Sequence, residues 1–185
     1  MLFRSFLRSA NDAHPDGLAN SSKMVGTRYM AHLATMMQGF HPLHVNPTVF
    51  QKTVAINDYY FSGPDTPFPL GQIQAQGRTH GVMAQTVVPW IPLWAYEAWV
   101  ARGVDWLAIS EDLPSPTNRV LLDPSGRIRL HYTANNVGPH ERLVAEMKGI
   151  LRQLGFWLVV AHSHKAKNTT HQCGDRKSTR LNSSH

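Results

Sequence analysis

The stretch Arg119-Val-Leu-Leu-Asp-Pro-Ser-Gly-Arg-Ile-Arg-Leu-His-Tyr-Thr133 decides the fold class, together with the helix-like run Asn136 to Gly155 and the apolar run Phe156-Trp-Leu-Val-Val-Ala161 that follow it. Asp123-Pro124-Ser125-Gly126 places Pro and Gly in the order of a tight turn. Val120 and Leu122 before it, and Ile128, Leu130 and Tyr132 after it, alternate with polar residues, so the stretch predicts a β-hairpin with one buried face. Leu143, Met147, Ile150, Leu151 and Leu154 then recur at i, i+4, i+7, i+8 and i+11, one apolar stripe on a helix. Asn136 stands as a nearby cap, Pro139 suits the first helical position, and Gly155 ends the helix. Phe156 to Ala161 reads as a buried strand. Hairpin, helix and strand in that order predict an α+β fold, an antiparallel sheet with helices packed on one face.

Upstream the signals are weaker. Residues 9–22 are rich in Ser, Asn, Asp, Pro and Gly and read as loop. Met24 to Met37 is apolar and Met-rich with no clean period, and His41 to Thr48 reads as extended or turn around Pro42 and Pro47. Val49 to Phe61 holds a strand candidate, and Gly63 to Gly71 a rigid loop. His80 to Val88 reads as a strand stopped by Pro89. Leu93 to Arg102 reads as a short helix closed by Gly103 at C′, and Val104 to Ile109 as a strand. Trp106 and Trp157 are expected in the core, whereas Trp90 and Trp94, beside Pro89 and Pro92, suit a substrate entrance.

The formal charge is +6 over 185 residues. Met1-Leu-Phe-Arg-Ser5 and Asp175-Arg-Lys-Ser-Thr-Arg-Leu-Asn-Ser-Ser-His185 resemble the two ends of a translated sequencing-library adapter, and such scars are set aside before fold reasoning. They contribute +1 (Arg4) and +2 (Arg176, Lys177 and Arg180 against Asp175), which leaves +3 for residues 6–174. A nucleic-acid partner is therefore not expected, because the basic cluster lies mainly in the adapter-like tail. One cysteine, Cys173, excludes an intrachain disulfide. No apolar run reaches the length of a membrane span.

His162, His164, His171 and Cys173 lie within twelve residues. Their spacing matches no standard zinc module and no carboxylate lies in the loop, so no metal is expected and His162 and His164 read as surface or hydrogen-bonded loop histidines. The segment Asn168-Thr-Thr-His-Gln-Cys-Gly174 resembles the His-x-x-Gly-Thr motif of glucose–methanol–choline (GMC) oxidoreductases. Ser9-Ala-Asn-Asp-Ala-His-Pro-Asp-Gly-Leu-Ala-Asn-Ser-Ser22 and Val25-Gly-Thr-Arg-Tyr-Met30 look like the segment after that family's second signature. Val49-Phe-Gln-Lys-Thr53, Asn57-Asp-Tyr-Tyr-Phe61 and Glu111-Asp-Leu-Pro-Ser-Pro-Thr-Asn-Arg-Val120 look like its following stretches, in the same order. The resemblance covers nearly all of residues 6–174 and rests on no single piece. Lys23 and Thr27 depart from it, standing where family members more often show Gly and Arg.

The resemblance implies a fragment of an FAD-dependent alcohol dehydrogenase or oxidase acting on the CH–OH group of a small-molecule alcohol and passing electrons to an acceptor not named by the sequence. It implies that His171 is the catalytic base, taking the hydroxyl proton while the hydride goes to the flavin. It also implies a loop-rich part at 6–48 adjoining an FAD domain, a substrate-binding domain at 49–174, and adapter-like ends at 1–5 and 175–185. The chain has no Gly-x-Gly-x-x-Gly after a strand, so the FAD would be bound mainly elsewhere in the parent protein and this chain alone would be inactive. The competing expectation is a small binding or structural domain without catalysis.

Overall fold

The computed structural model describes residues 6–48, 52–86, 88–163 and 172–173. The chain forms two compact units, each assembled from non-contiguous segments. The larger comprises residues 33–111 and 136–165, and the smaller residues 1–32, 112–135 and 166–185.

The larger unit is built on a five-stranded sheet. Its strands are β2 (Leu33–Phe40), β3 (Ala55–Ile56), β4 (Gln72–Ala75), β5 (Gly103–Ser110) and β8 (Leu158–Ser163), in the order β3-β4-β5-β2-β8. Every pair is antiparallel. Helices α1 (Gly81–Gln85), α2 (Leu93–Val100) and α3 (Val137–Gln153) complete it. The α+β class expected from the hairpin, helix and strand is the class observed.

The register fixes which side chains share a face. Thr35, Met37 and Gly39 of β2 lie with Ala108 and Ser110 of β5 and Ile73 of β4 on one face. The apolar stripe of α3 meets that face. Leu143, Met147 and Leu151 are fully buried against Met37, Leu70, Ile73 and Ala108 in a single core. Gly39 sits where α3 and the following turn come closest, and a Cβ there would meet the Phe156 ring at 2.9 Å. The helix ends as the sequence suggests, with Gly155 at φ 88° past the C-cap Leu154.

Several expectations need correction. The run from Met24 to Met37 hides a central strand: β2 is half-covered on both faces, so its sequence, Leu-Ala-Thr-Met-Met-Gln-Gly-Phe, carries no polar alternation. Within the stretch His80 to Val88, read as a strand, Gly81–Gln85 forms the short helix α1 instead. The Gly81 amide donates to Glu97 Oε1 at 3.0 Å, and Val82 and Met83 are exposed. Gly103 is not a C′ residue but opens β5. Asn136 occupies the N-cap position of α3 without a side-chain cap bond, its amide nitrogen donating instead to Glu111 O at 2.7 Å, and Pro139 falls two residues inside the helix. The strand expected near Phe156–Ala161 exists as β8, but it is a sheet edge and its side chains are largely exposed. Trp157, expected in the core, is 73% exposed, whereas Trp106 packs partly buried against the core. Leu154 continues the stripe in sequence, yet it lies one turn beyond the core and is exposed.

The smaller unit holds the hairpin β6 (Arg119–Leu122) and β7 (Ile128–His131), and β1 (Met30–Ala31) paired antiparallel with β9 (Gln172–Cys173). The turn is built by Asp123. Its Oδ1 accepts from the Ser125 and Arg127 amides, both at 2.9 Å, and from Ser125 Oγ at 2.6 Å. The Ser125 hydroxyl and the Arg127 amide hold this carboxyl below its ordinary range. Gly126 takes φ 75°. The hairpin's one-sided burial is confined to Val120, which packs with Tyr29, Ala31 and Tyr132, while Ile128 and Leu130 are exposed. Among the described residues no helix is long and apolar enough to cross a membrane.

Because the core is concentrated on the α3 stripe, Leu143→Ala is expected to destabilise the protein by about 2–5 kcal/mol. The exposed Leu154→Ala is expected to change stability by less than about 0.5 kcal/mol. Urea unfolding of the two variants checks the contrast, and equal losses would contradict the assigned core.

Candidate functional site

His171 and His164 lie outside the described residues. The structure does place the two residues that follow His171: Gln172 pairs with Ala31 and Cys173 with Met30. It also places His162 in β8, opposite Met36 of β2 and exposed. The metal alternative of His162, His164, His171 and Cys173 thus falls mostly outside the described residues. Among those described, no group of three or more His, Cys, Asp or Glu is placed to hold a metal.

The register also defines a second face of the five-stranded sheet, opposite α3. Ala34, Met36, Gln38 and Phe40 of β2 share it with Asp105, Leu107 and Ile109 of β5, with Gln72 and Gln74 of β4, and with Leu158, Val160 and His162 of β8. One end of this face is closed by polar and aromatic contacts. Phe40 stacks on Trp99 of α2 with ring centroids 4.2 Å apart, and Trp99 Nε1 donates to Gln38 Oε1. Gln38 Nε2 donates to Asp105 Oδ1 at 2.8 Å, and the Thr79 amide donates to Asp105 Oδ2 at 2.7 Å. Each oxygen of the buried Asp105 therefore has a donor, as a buried carboxylate requires. Towards the other end Met36, Leu107 and Ile109 share the face with Gln72, Gln74 and His162, all half-buried or exposed, while Val160 stands opposite Gln38.

Between the sheet and α3 lies a polar cluster that sequence reasoning missed. His140 Nε2 is 2.7 Å from Thr35 Oγ1 and its Nδ1 is 2.9 Å from Ser110 Oγ. Ser110 Oγ donates to Leu70 O at 2.6 Å. That commitment fixes the protons: Ser110 has none left for the ring, so Nδ1–H donates to Ser110 and Nε2 accepts from Thr35. Ser163 Oγ, 3.2 Å from Thr35 Oγ1, then donates to it. All three central residues are buried, and burial pushes the His140 pKa down to about 4 from 6.5. A serine–histidine pair can generate a nucleophile only if the serine gives its proton to the ring. Here the polarity is reversed and water is excluded, so the cluster is a clasp between helix and sheet. Its signal was present in the sequence, since His140 stands three residues before Leu143 on the apolar stripe.

In the smaller unit the partly buried Tyr132 lies beside the buried Asp112; the Tyr132 hydroxyl and Asp112 Oδ2 are shielded from solvent and interact with each other without a well-formed hydrogen bond. Burial first, and the neighbouring Asp112 carboxylate second, push the tyrosine pKa up. Trp90 and Trp94, expected near a substrate entrance, are exposed at 82% and 75%.

The described residues contain no glycine-rich strand–helix turn of the kind that holds a dinucleotide. Compared with known proteins, no family model matches the chain and no curated protein matches it.

The histidine clasp makes stability depend on pH in a defined direction. Above about pH 6.5 neither the folded nor the unfolded chain is protonated at His140, and the clasp contributes fully. As pH falls from 6.5 towards 4 the unfolded chain takes up a proton that the folded chain refuses, so the unfolding free energy falls, by on the order of 3 kcal/mol in all. Urea midpoints across this range should fall less steeply in His140→Gln than in the wild type. Parallel curves would contradict the assignment.

Proposed function

We propose that this chain is the substrate-binding part of a GMC-type, FAD-dependent oxidoreductase that oxidises the CH–OH group of a small alcohol. The observation that carries the proposal is the order of its segments. Stretches similar to that family follow one another from Ser9 to Gly174, and the antiparallel sheet unit ends in β8, whose chain runs directly into the His171 motif. The fold class supports the same reading.

In this proposal His171 accepts the proton of the substrate hydroxyl, a task suited to an imidazole because its pKa lies near working pH. The apolar side chains Met36, Leu107 and Ile109 of the second sheet face provide a surface for the substrate's carbon skeleton. FAD, held by another part of the protein, supplies the hydride acceptor. The isolated chain is therefore inactive, and the electron acceptor, like the flavin, is recognised elsewhere. His140, neutral and enclosed, takes no part in the proton transfer; its role is to keep α3 seated on the sheet. A non-catalytic binding domain would share the fold but would not need the His171 motif.

In the full-length flavoprotein, His171→Ala is expected to slow flavin reduction by the alcohol about 10²- to 10⁴-fold while leaving bound flavin unchanged. Stopped-flow absorbance measures both. Unchanged reduction would remove His171 from the reaction, and a full-length protein that binds no flavin would overturn the family reading.

A further inference from the structure

The larger unit contains a cleft that the proposed oxidation does not use. At the end of β2 the chain turns through His41–Asn46 and is pinned across the start of β5. The His41 amide donates to Arg102 O at 3.1 Å, the Asn46 amide to Ala101 O at 2.7 Å, and Asn46 Nδ2 to Gly103 O at 2.8 Å. Pro42 and Pro47 stiffen the same turn. The cleft opens to solvent and has a volume of about 250 Å³. A preorganised cavity of this kind loses little entropy on binding.

The lining divides by chemistry. His41, His44 and Arg102 supply the polar side, and Val104, Leu154 and Phe156 the apolar side; no carboxylate lines the cleft. Arg102 Nε donates to Pro42 O at 3.2 Å and Nη1 to Ala98 O at 2.9 Å, both neutral acceptors. Among the described residues it has no ion-pair partner, so its charge is oriented but not matched. The Leu43 amide donates to His41 Nδ1 at 3.3 Å, which assigns the ring hydrogen to Nε2 and leaves that nitrogen a donor. The His44 ring lies beside it, centroid to centroid 4.3 Å. Leu154, exposed although it continues the α3 stripe, belongs to this apolar side.

We propose that this cleft binds a small organic carboxylate. The carboxylate meets the Arg102 guanidinium and the two imidazoles, and an apolar body of fragment size lies against Val104, Leu154 and Phe156. A guanidinium favours a planar carboxylate, and its charge-assisted bonds are stronger than neutral ones. The volume falls below the roughly 300–1,000 Å³ of typical small-molecule sites, which limits the ligand to about one ring or a short chain. The assignment is independent of the oxidoreductase proposal.

Titrations of the full 185-residue chain with benzoate, benzyl alcohol and inorganic phosphate test it, followed by amide chemical shifts of residues 41–46 and 154–157. Benzoate is expected to bind saturably and to bind roughly ten-fold more tightly than benzyl alcohol or phosphate. Arg102→Gln should weaken benzoate about ten-fold and leave benzyl alcohol unchanged, with Arg102→Lys recovering part of the affinity. His44→Gln, in the exposed turn, should weaken benzoate without affecting folding, and it decides the matter if the Arg102 variants do not fold. No saturable benzoate binding, equal binding of benzyl alcohol or phosphate, or benzoate binding indifferent to both Arg102 and His44 would each overturn the assignment.

Discussion

The seating of Leu143, Met147 and Leu151 on the layer formed by Met37, Ile73 and Ala108 is the contact on which the larger unit depends. Because β-strand side chains alternate, closing one face of the sheet dictates the membership of the other. Met36, Leu107, Ile109 and Val160 are turned away from α3 by the same register that turns Met37 and Ala108 towards it. The candidate substrate surface is thus a consequence of how the core is packed. Gly39 belongs to this constraint too, since a side chain there would collide with Phe156 and lift the end of α3 from the sheet.

The clasp of His140 with Thr35 and Ser110 lies in the same interface. Its polar groups are matched within the protein, which is the condition for placing them in a core without a large penalty. Position alone does not make a histidine catalytic. The proton on Ser110 points at Leu70 O, both ring nitrogens are occupied, and burial keeps the ring neutral well below neutral pH. The proposed base, His171, lies outside the described residues, and the two residues that follow it pair with β1. The two histidines illustrate opposite uses of one side chain, a closed structural link and a proposed proton acceptor.

What could be read from residues alone followed where periodicity was strong. The Asp123–Gly126 turn demands particular residues, the α3 stripe has a helical period and Val104–Ile109 is a short apolar run, and each formed close to the expected bounds. β2 was not legible because cover on both faces erases alternation, and α1 was misread because Val82, Val87 and Val88 suggest a strand where no strand neighbour exists for Val82. Trp157 failed by parity and position, sitting before an edge strand rather than within a central one. The His171 proposal rests on family resemblance alone, and His140 was overlooked because a polar residue on an apolar stripe reads as a defect until its partners are known. The Arg102 cleft joins residues from a turn, a helix end and a strand start, a combination no local pattern announces.

The central claim is that this chain belongs to a larger flavoprotein, and sequencing the gene outward from the nucleic acid encoding residues 9–170 tests it most directly. The account predicts an open frame that continues from Gly174 into Thr and then to a second catalytic His or Asn. Upstream, it predicts a strand–turn–helix unit with a Gly-x-Gly-x-x-Gly turn able to hold the ADP portion of FAD. A native frame that stops near residues 6 and 174 would contradict it and leave a small non-catalytic domain as the better description.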